Sequence, residues 1–375
     1  MTEFPKSGSA MRRLMLCTIA GASLVATMAW AAPAIEKSVK VAPGVYEVVV
    51  SPSSKTVYVA AAGGRGATSA KIVTFDATTL AQKGEIDVSA APLFGLGLNE
   101  ATQTLYGTGT RAGVLSAIDL KTGKVAASIT DPSPGGSNAH LREVAVDQAT
   151  NTIYATVVGS RGAANPDAPK GELWVIDGKS HKVTQVVTSP AQTVVGVAFD
   201  PSTRRVYTTD MVGHQIVVFD AAAGHKQVAT WPAGGEQPMN IAVDTAGSRI
   251  FVSNQGTGTL TVIDTKSGKL IKSIPTGGGA LSVAYAPKNG HVYVTNRNAG
   301  TTSVVDAKSL EVIANLPTGS MPQTVTVDHA TGLVYVTNKA RAGGGRGRGA
   351  ASAPATPPAP PAEDPNGDTL TLIRP

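Results

Sequence analysis

Residues 239–274 read MNIAVDTAGSRIFVSNQGTGTLTVIDTKSGKLIKSI. An apolar run, NIAV, meets turn residues from Asp244 to Gly247, and a second run, RIFVS, follows. A glycine-rich loop then leads to LTVID, a turn at Lys266–Gly268, and KLIKSI. Short β-branched runs punctuated by Gly, Asp and Ser are strands joined by tight turns. The stretch therefore predicts one four-stranded antiparallel meander. Such a unit cannot bury its apolar face alone, so its recurrence decides the fold.

It recurs along the chain. VYVAA begins at Val57, LYGTG at Leu105, IYATV at Ile153, VYTTD at Val206, IFVSN at Ile250, and VYVTN at Val292 and again at Val334. The central aromatics, Tyr58, Tyr106, Tyr154, Tyr207, Phe251, Tyr293 and Tyr335, are spaced 48, 48, 53, 44, 42 and 42 residues apart. Radial repetition of a four-stranded sheet at this period is a propeller.

Positions ten and eight residues before each aromatic are bulky, as in Val48 and Val50, Val197 and Phe199, or Val283 and Tyr285. The position between is Val49, Gly97, Ala145, Ala198, Ala242, Ala284 or Thr326. Alternate residues of a strand face opposite sides, so each blade presents a large face to a mostly small one. Ring closure is also legible. Ile35–Val41 parallels an outermost strand, and Asp368–Arg374 parallels a third strand with none after it. The predicted fold is all-β, a seven-bladed β-propeller of four-stranded antiparallel blades closed by the mature N-terminal strand.

Residues 11–31 run MRRLMLCTIAGASLVATMAWA, two arginines, an apolar stretch and Ala29-Trp30-Ala31. This predicts a cleaved secretory signal over 1–31, with the propeller in 32–375. A membrane anchor is the competing reading, and the shortness of the stretch and its interruption by Thr18, Gly21 and Ser23 weigh against it. The one cysteine, Cys17, falls in the leader, so the mature chain has no disulfide. A periplasmic monomer without stable membrane insertion is expected. The formal charge of +6 becomes about +4 once Glu3, Lys6, Arg12 and Arg13 are removed.

In a propeller, loops between second and third strands emerge beside the blade-to-blade connections. Those loops carry Arg65, Arg111, Arg161, His214, Arg297, Lys339 and Arg341. The last continues into a Gly/Arg-rich and then Pro/Ala-rich insert, 340–367, expected to be flexible because it has little to bury. On the other face, lysines accompany Asp119, Asp177, Asp220, Asp264 and Asp306, which are expected to cap turns. Residues eleven and twelve before each aromatic line the channel mouth, among them Tyr46, Phe94, Arg142, Glu143, Asn240 and Gln323.

No HExxH, no GxSxG and no phosphate-loop motif occurs, and the histidines are scattered, so no catalytic residue, metal or cofactor is expected. The phrases GVYEVVVS, FGLGLNEATQTLYGTGT, VLSAIDLKTGKV, REVAVDQATNTIY and VYVTNRNAGTTSVVDAKSLEV resemble the YVTN-repeat propellers across residues 35–375. That resemblance implies an exported seven-bladed propeller that binds DNA, preferring single strands, with no established catalysis. The insert departs from the family's shorter loop. The expected function is nucleic-acid binding, with phosphates on Arg65, Arg111, Arg161, Arg297, Lys339 and Arg341 and a base stacked on Phe94 or Tyr46. A second reading makes the funnel around Arg142, Glu143 and Asn240 a small-ligand or envelope-protein site. A third is a propeller hydrolase or lyase.

Overall fold

The structure, a computed structural model, describes residues 1–3, 32–64, 66–133, 139–160, 162, 165–341 and 364–375. By its internal contacts the chain divides into Met1–Ala31 and Ala32–Pro375. The expected leader lies outside the described residues except for its first three. Among the described residues no helix is long and apolar enough to cross a membrane.

Ala32–Pro375 folds as seven four-stranded antiparallel sheets. Their innermost strands are Val45–Ser51, Leu96–Asn99, His140–Asp147, Val194–Asp200, Pro238–Asp244, Ala280–Ala286 and Pro322–Val327, which define blades 1 to 7. Each packs on the innermost strand either side of it, and that of blade 7 returns to that of blade 1. The ring is therefore a closed seven-bladed β-propeller.

The core lies between blades. Seven hydrophobic clusters each join two adjacent blades. Each repeat's aromatic sits in the seam with the following blade; Tyr106, Phe251, Tyr293 and Tyr335 are 0% exposed. Among the phenols, Tyr335 donates across the seam to the Ala77 carbonyl at 2.7 Å and Tyr106 to that of Gly178 at 3.3 Å, and Tyr154 meets His225 Nε2 at 3.4 Å. The small position of the inner strand is dictated by closeness: a Cβ on Gly97 would stand 2.5 Å from Val144 Cγ1 of the next blade.

The hydroxyl two residues after the aromatic explains the Thr of the repeated phrase. Thr108, Thr156, Thr209, Ser253, Thr295 and Thr337 each donate to a carbonyl of the next blade's innermost strand at 2.5–3.1 Å. Each also accepts an N–H of its own innermost strand at 2.8–3.2 Å. Blade 1 has Ala60 there, and its seam closes without a hydroxyl: Glu47 N–H donates directly to the Phe94 carbonyl at 3.2 Å. The Asn of the phrase is a second latch in blades 5 to 7. Asn254, Asn296 and Asn338 donate to Thr261, Ser303 and Thr371 of the third strand at 3.0, 2.8 and 3.1 Å.

Blade 7 is completed from the other end of the chain. Ala34–Lys40 pairs antiparallel with Thr369–Arg374, Val39 opposite Leu370, as the sequence predicts. Lys37 reaches the Thr79 carbonyl at 2.8 Å, and Arg374 pairs with Glu36 at 2.7 Å. Hydrogen bonds anchor both ends of the predicted insert. Asp364 accepts from Ser320 Oγ at 2.7 Å and from Arg341 N–H at 3.0 Å, and Ser320 N–H donates to the Asn366 carbonyl at 3.1 Å. The reason is local: Asp364 caps its own turn and ties both ends to the blade 6–7 connection. Residues 342–363 lie outside the described residues.

Candidate functional site

The carbonyls held by the seam latches belong to Tyr46, Phe94, Arg142, Val195, Met239, Leu281 and Gln323. The side chains of these seven residues surround one end of the central channel. The repeat thus positions its own mouth, since every seam is pinned where a lining residue leaves the strand. Val283 N–H on Asn240 Oδ1, at 3.5 Å, adds a weak stitch there. The cavity so formed is about 30 Å3, enough for roughly two water molecules.

A cation–aromatic chain crosses this mouth. Exposed Arg111 lies 5.1 Å from the ring centre of Phe94, which meets Tyr46 edge-on at 4.7 Å. Lys339 sits 4.0 Å from the Tyr46 ring centre and also donates to its hydroxyl. Cations over ring faces are favourable by about 0.5–2 kcal/mol. Arg297 is half-buried nearby; burial lowers its pKa, Tyr46 offsets that and Arg142 adds to it, and it stays charged at neutral pH. Arg111, Arg142, Arg297 and Lys339 come from blades 2, 3, 6 and 7, and none forms an ion pair among the described residues.

Two carboxylates share the cavity with them. Glu47 and Glu143 are recessed in the channel. Burial raises the Glu47 pKa well above the ordinary range, with repulsion from Glu143 adding to it and Arg142 opposing. Burial likewise raises Glu143, against Arg142. Arg142 forms no ion pair with either, although its charge works against the rise in both. Their raised pKa values lessen the negative charge set against the four cations, and the mouth carries a cationic excess.

Not all the predicted residues join this group. Arg65 and Arg161 lie outside the described residues. Arg341 donates to the Ser320 carbonyl at 3.2–3.3 Å and lines a separate cleft with Lys40 at the blade 6–7 seam. His214 is spent on a turn, its Nδ1 accepting from Gln237 N–H at 3.0 Å. Phe94, only 8% exposed, has Tyr46 against it and Arg111 over its face, so it is no open stacking platform.

Nor is the loop face uniformly basic. It carries Asp87, Asp131, Glu172, Asp364 and Asp368, whose carboxylates accept from Ser89, Ser133, Trp174, Ser320 and Gly44. The cationic excess is local to the mouth. On the opposite face Arg204, Arg205, Arg249 and Arg374 pair with Asp147, Asp220, Asp244 and Glu36. Asp119, Asp177, Asp220, Asp264 and Asp306 cap turns there, as expected.

The seam hydroxyls are the positioning residues that motif reading passed over, although their recurrence two places after the aromatic was available as a signal. The partnership of Lys339 with Tyr46, 293 residues apart in sequence, had none.

Residues 67–298, more than half the chain, match the SMP-30/gluconolactonase/LRE-like region. The chain belongs to that family. It is also homologous to proteins described as uncharacterized protein YncE. The protein from Salmonella typhi is 29% identical over 281 residues, 73% of this chain and 76% of its own. That from Escherichia coli (strain K12) is 27% identical over 261 residues, 67% of this chain and 71% of its own. A family defined partly by gluconolactonase includes enzymes. Among the described residues, no three His, Cys, Asp or Glu side chains converge as a metal cage.

Proposed function

We propose that this YncE-like propeller is an exported, non-catalytic protein that binds single-stranded DNA by its backbone across the channel mouth. The observation that carries the reading is the convergence of Arg111, Arg142, Arg297 and Lys339 from four blades without carboxylate partners, while arginines of the opposite face are paired. Unpaired cations at fixed spacing attract phosphates and release their counterions. A single strand bends at each nucleotide, so its phosphates can follow cations set in an arc. Arg111, lying on Phe94, offers its outer face to a base.

Anisotropy of a labelled oligonucleotide at low salt tests this. Arg111→Ala/Lys339→Ala is expected to weaken binding at least about ten-fold, whereas Arg249→Ala on the opposite face leaves it unchanged. Equal loss in both, or no binding by the parent protein, rejects the reading.

A further inference from the structure

The mouth combines features that a polyanion groove alone does not require. A groove that tracks a backbone needs exposed cations; it needs neither a dimple of about 30 Å3 nor two acids recessed beside an arginine. The dimple is lined by the ionisable groups Arg142, Glu47 and Glu143 and by the amides of Asn240 and Gln323. Asn240 uses its carbonyl on Val283 N–H, which leaves its amide N–H groups for a guest. Arg297 lies within electrostatic reach of Arg142, and Lys339 caps Tyr46 on the rim.

We propose that the open rim of this dimple seats a single phosphoryl group, with Arg142 as its principal ligand, Asn240 as a hydrogen-bond donor, and Arg297 and Lys339 supplying charge from the rim. Its cationic rim favours an anion over a cation. It rests on the same cations as the DNA reading but asks for a discrete oxyanion rather than a strand. A dianion entering beside Glu47 and Glu143 forces the pair to hold protons more tightly, because like charges in one recess cannot coexist cheaply. Wherever the pair is partly ionised, phosphate binding is then accompanied by proton uptake. The groups facing the pair are Arg142 beside Glu143 on the blade 3 strand, Thr324 on that of blade 7, and Tyr46 with Arg297 on the rim. Among the described residues no other titratable side chain lines the recess. Protonated carboxyls then donate to the oxyanion instead of repelling it.

The test is calorimetric titration of the purified protein with inorganic phosphate in two buffers of different ionisation heat. The expected result is one site per chain with net proton uptake. Arg142→Ala should weaken it about ten- to a hundred-fold, as loss of a charged hydrogen bond does. Arg142→Lys, which keeps the charge, restores part of that loss and controls for misfolding. Glu47→Gln/Glu143→Gln keeps binding and abolishes the uptake. Absence of binding overturns the proposal, as does binding that is indifferent to Arg142→Ala or free of proton uptake. Two further arms identify the source of the phosphoryl group. A 5′-phosphorylated oligonucleotide that binds tighter than its 5′-hydroxyl twin places a strand end in the dimple. Equal affinity of the two, with phosphate still binding, makes the free ion the ligand. Phosphate binding without any oligonucleotide binding supports the seat and refutes the DNA reading.

Discussion

Glu47 shows how one residue couples the stability of the ring to the charge of its mouth. Its folded pKa is raised by burial and by Glu143, so the folded state holds its proton more tightly than the unfolded chain. Stability therefore falls as pH rises from the ordinary carboxylate value of 4.5 through the folded value, and is level above it. Glu47→Gln is expected to stabilise the protein at pH 7 by an amount on the order of 1 kcal/mol or more, with the gain vanishing below about pH 4.5. Denaturant melts of both proteins across that range check this; a gain that persists at pH 3.5 contradicts it. The sign extends to binding. As pH falls and the pair protonates, oligonucleotide affinity rises in the parent protein and stays flatter in Glu47→Gln/Glu143→Gln.

At the scale of elements, the seams carry the fold. Thr156 bridges Glu143 N–H and the Val195 carbonyl at 3.0 and 2.7 Å in the buried seam between blades 3 and 4. Thr156→Val keeps the shape and orphans both groups, at an expected cost of about 1–3 kcal/mol by chemical denaturation. Less than a few tenths would mean that the hydroxyl is incidental. The N-terminal clasp is an element of the same kind. Without residues 32–40, the buried strand Thr369–Arg374 becomes a raw edge and invites pairing between copies. The truncated chain should melt well below the full one and associate in a concentration-dependent way; an unchanged melting temperature and a monomer would show the clasp to be decoration. Much of this was legible beforehand. The aromatic period announced the blades, the large–small alternation announced the interdigitation that Gly97 and Val144 display, and Asp368–Arg374 announced the missing strand. The hydroxyl latches were not recognised because Thr in a strand reads as ordinary β-propensity until its partner across the seam is known.

For the whole molecule, closure brings together what sequence keeps apart. Tyr46 and Lys339 meet only because the last blade abuts the first, and Phe94 meets Arg111 only after its hairpin folds. Reading loops as one basic face overcounted, since a linear scan lists cations and misses the carboxylates that the same loops bring along. What survives is a cluster of four cations at one mouth beside two acids whose pKa values burial raises. The most direct measurement of its role is the salt dependence of single-stranded oligonucleotide binding. Contacts to about four phosphates predict a log–log slope of about −3, falling to about −1.5 in Arg111→Ala/Lys339→Ala. A slope near zero in the parent protein, or the same slope in both, would contradict the assignment of this mouth to nucleic acid.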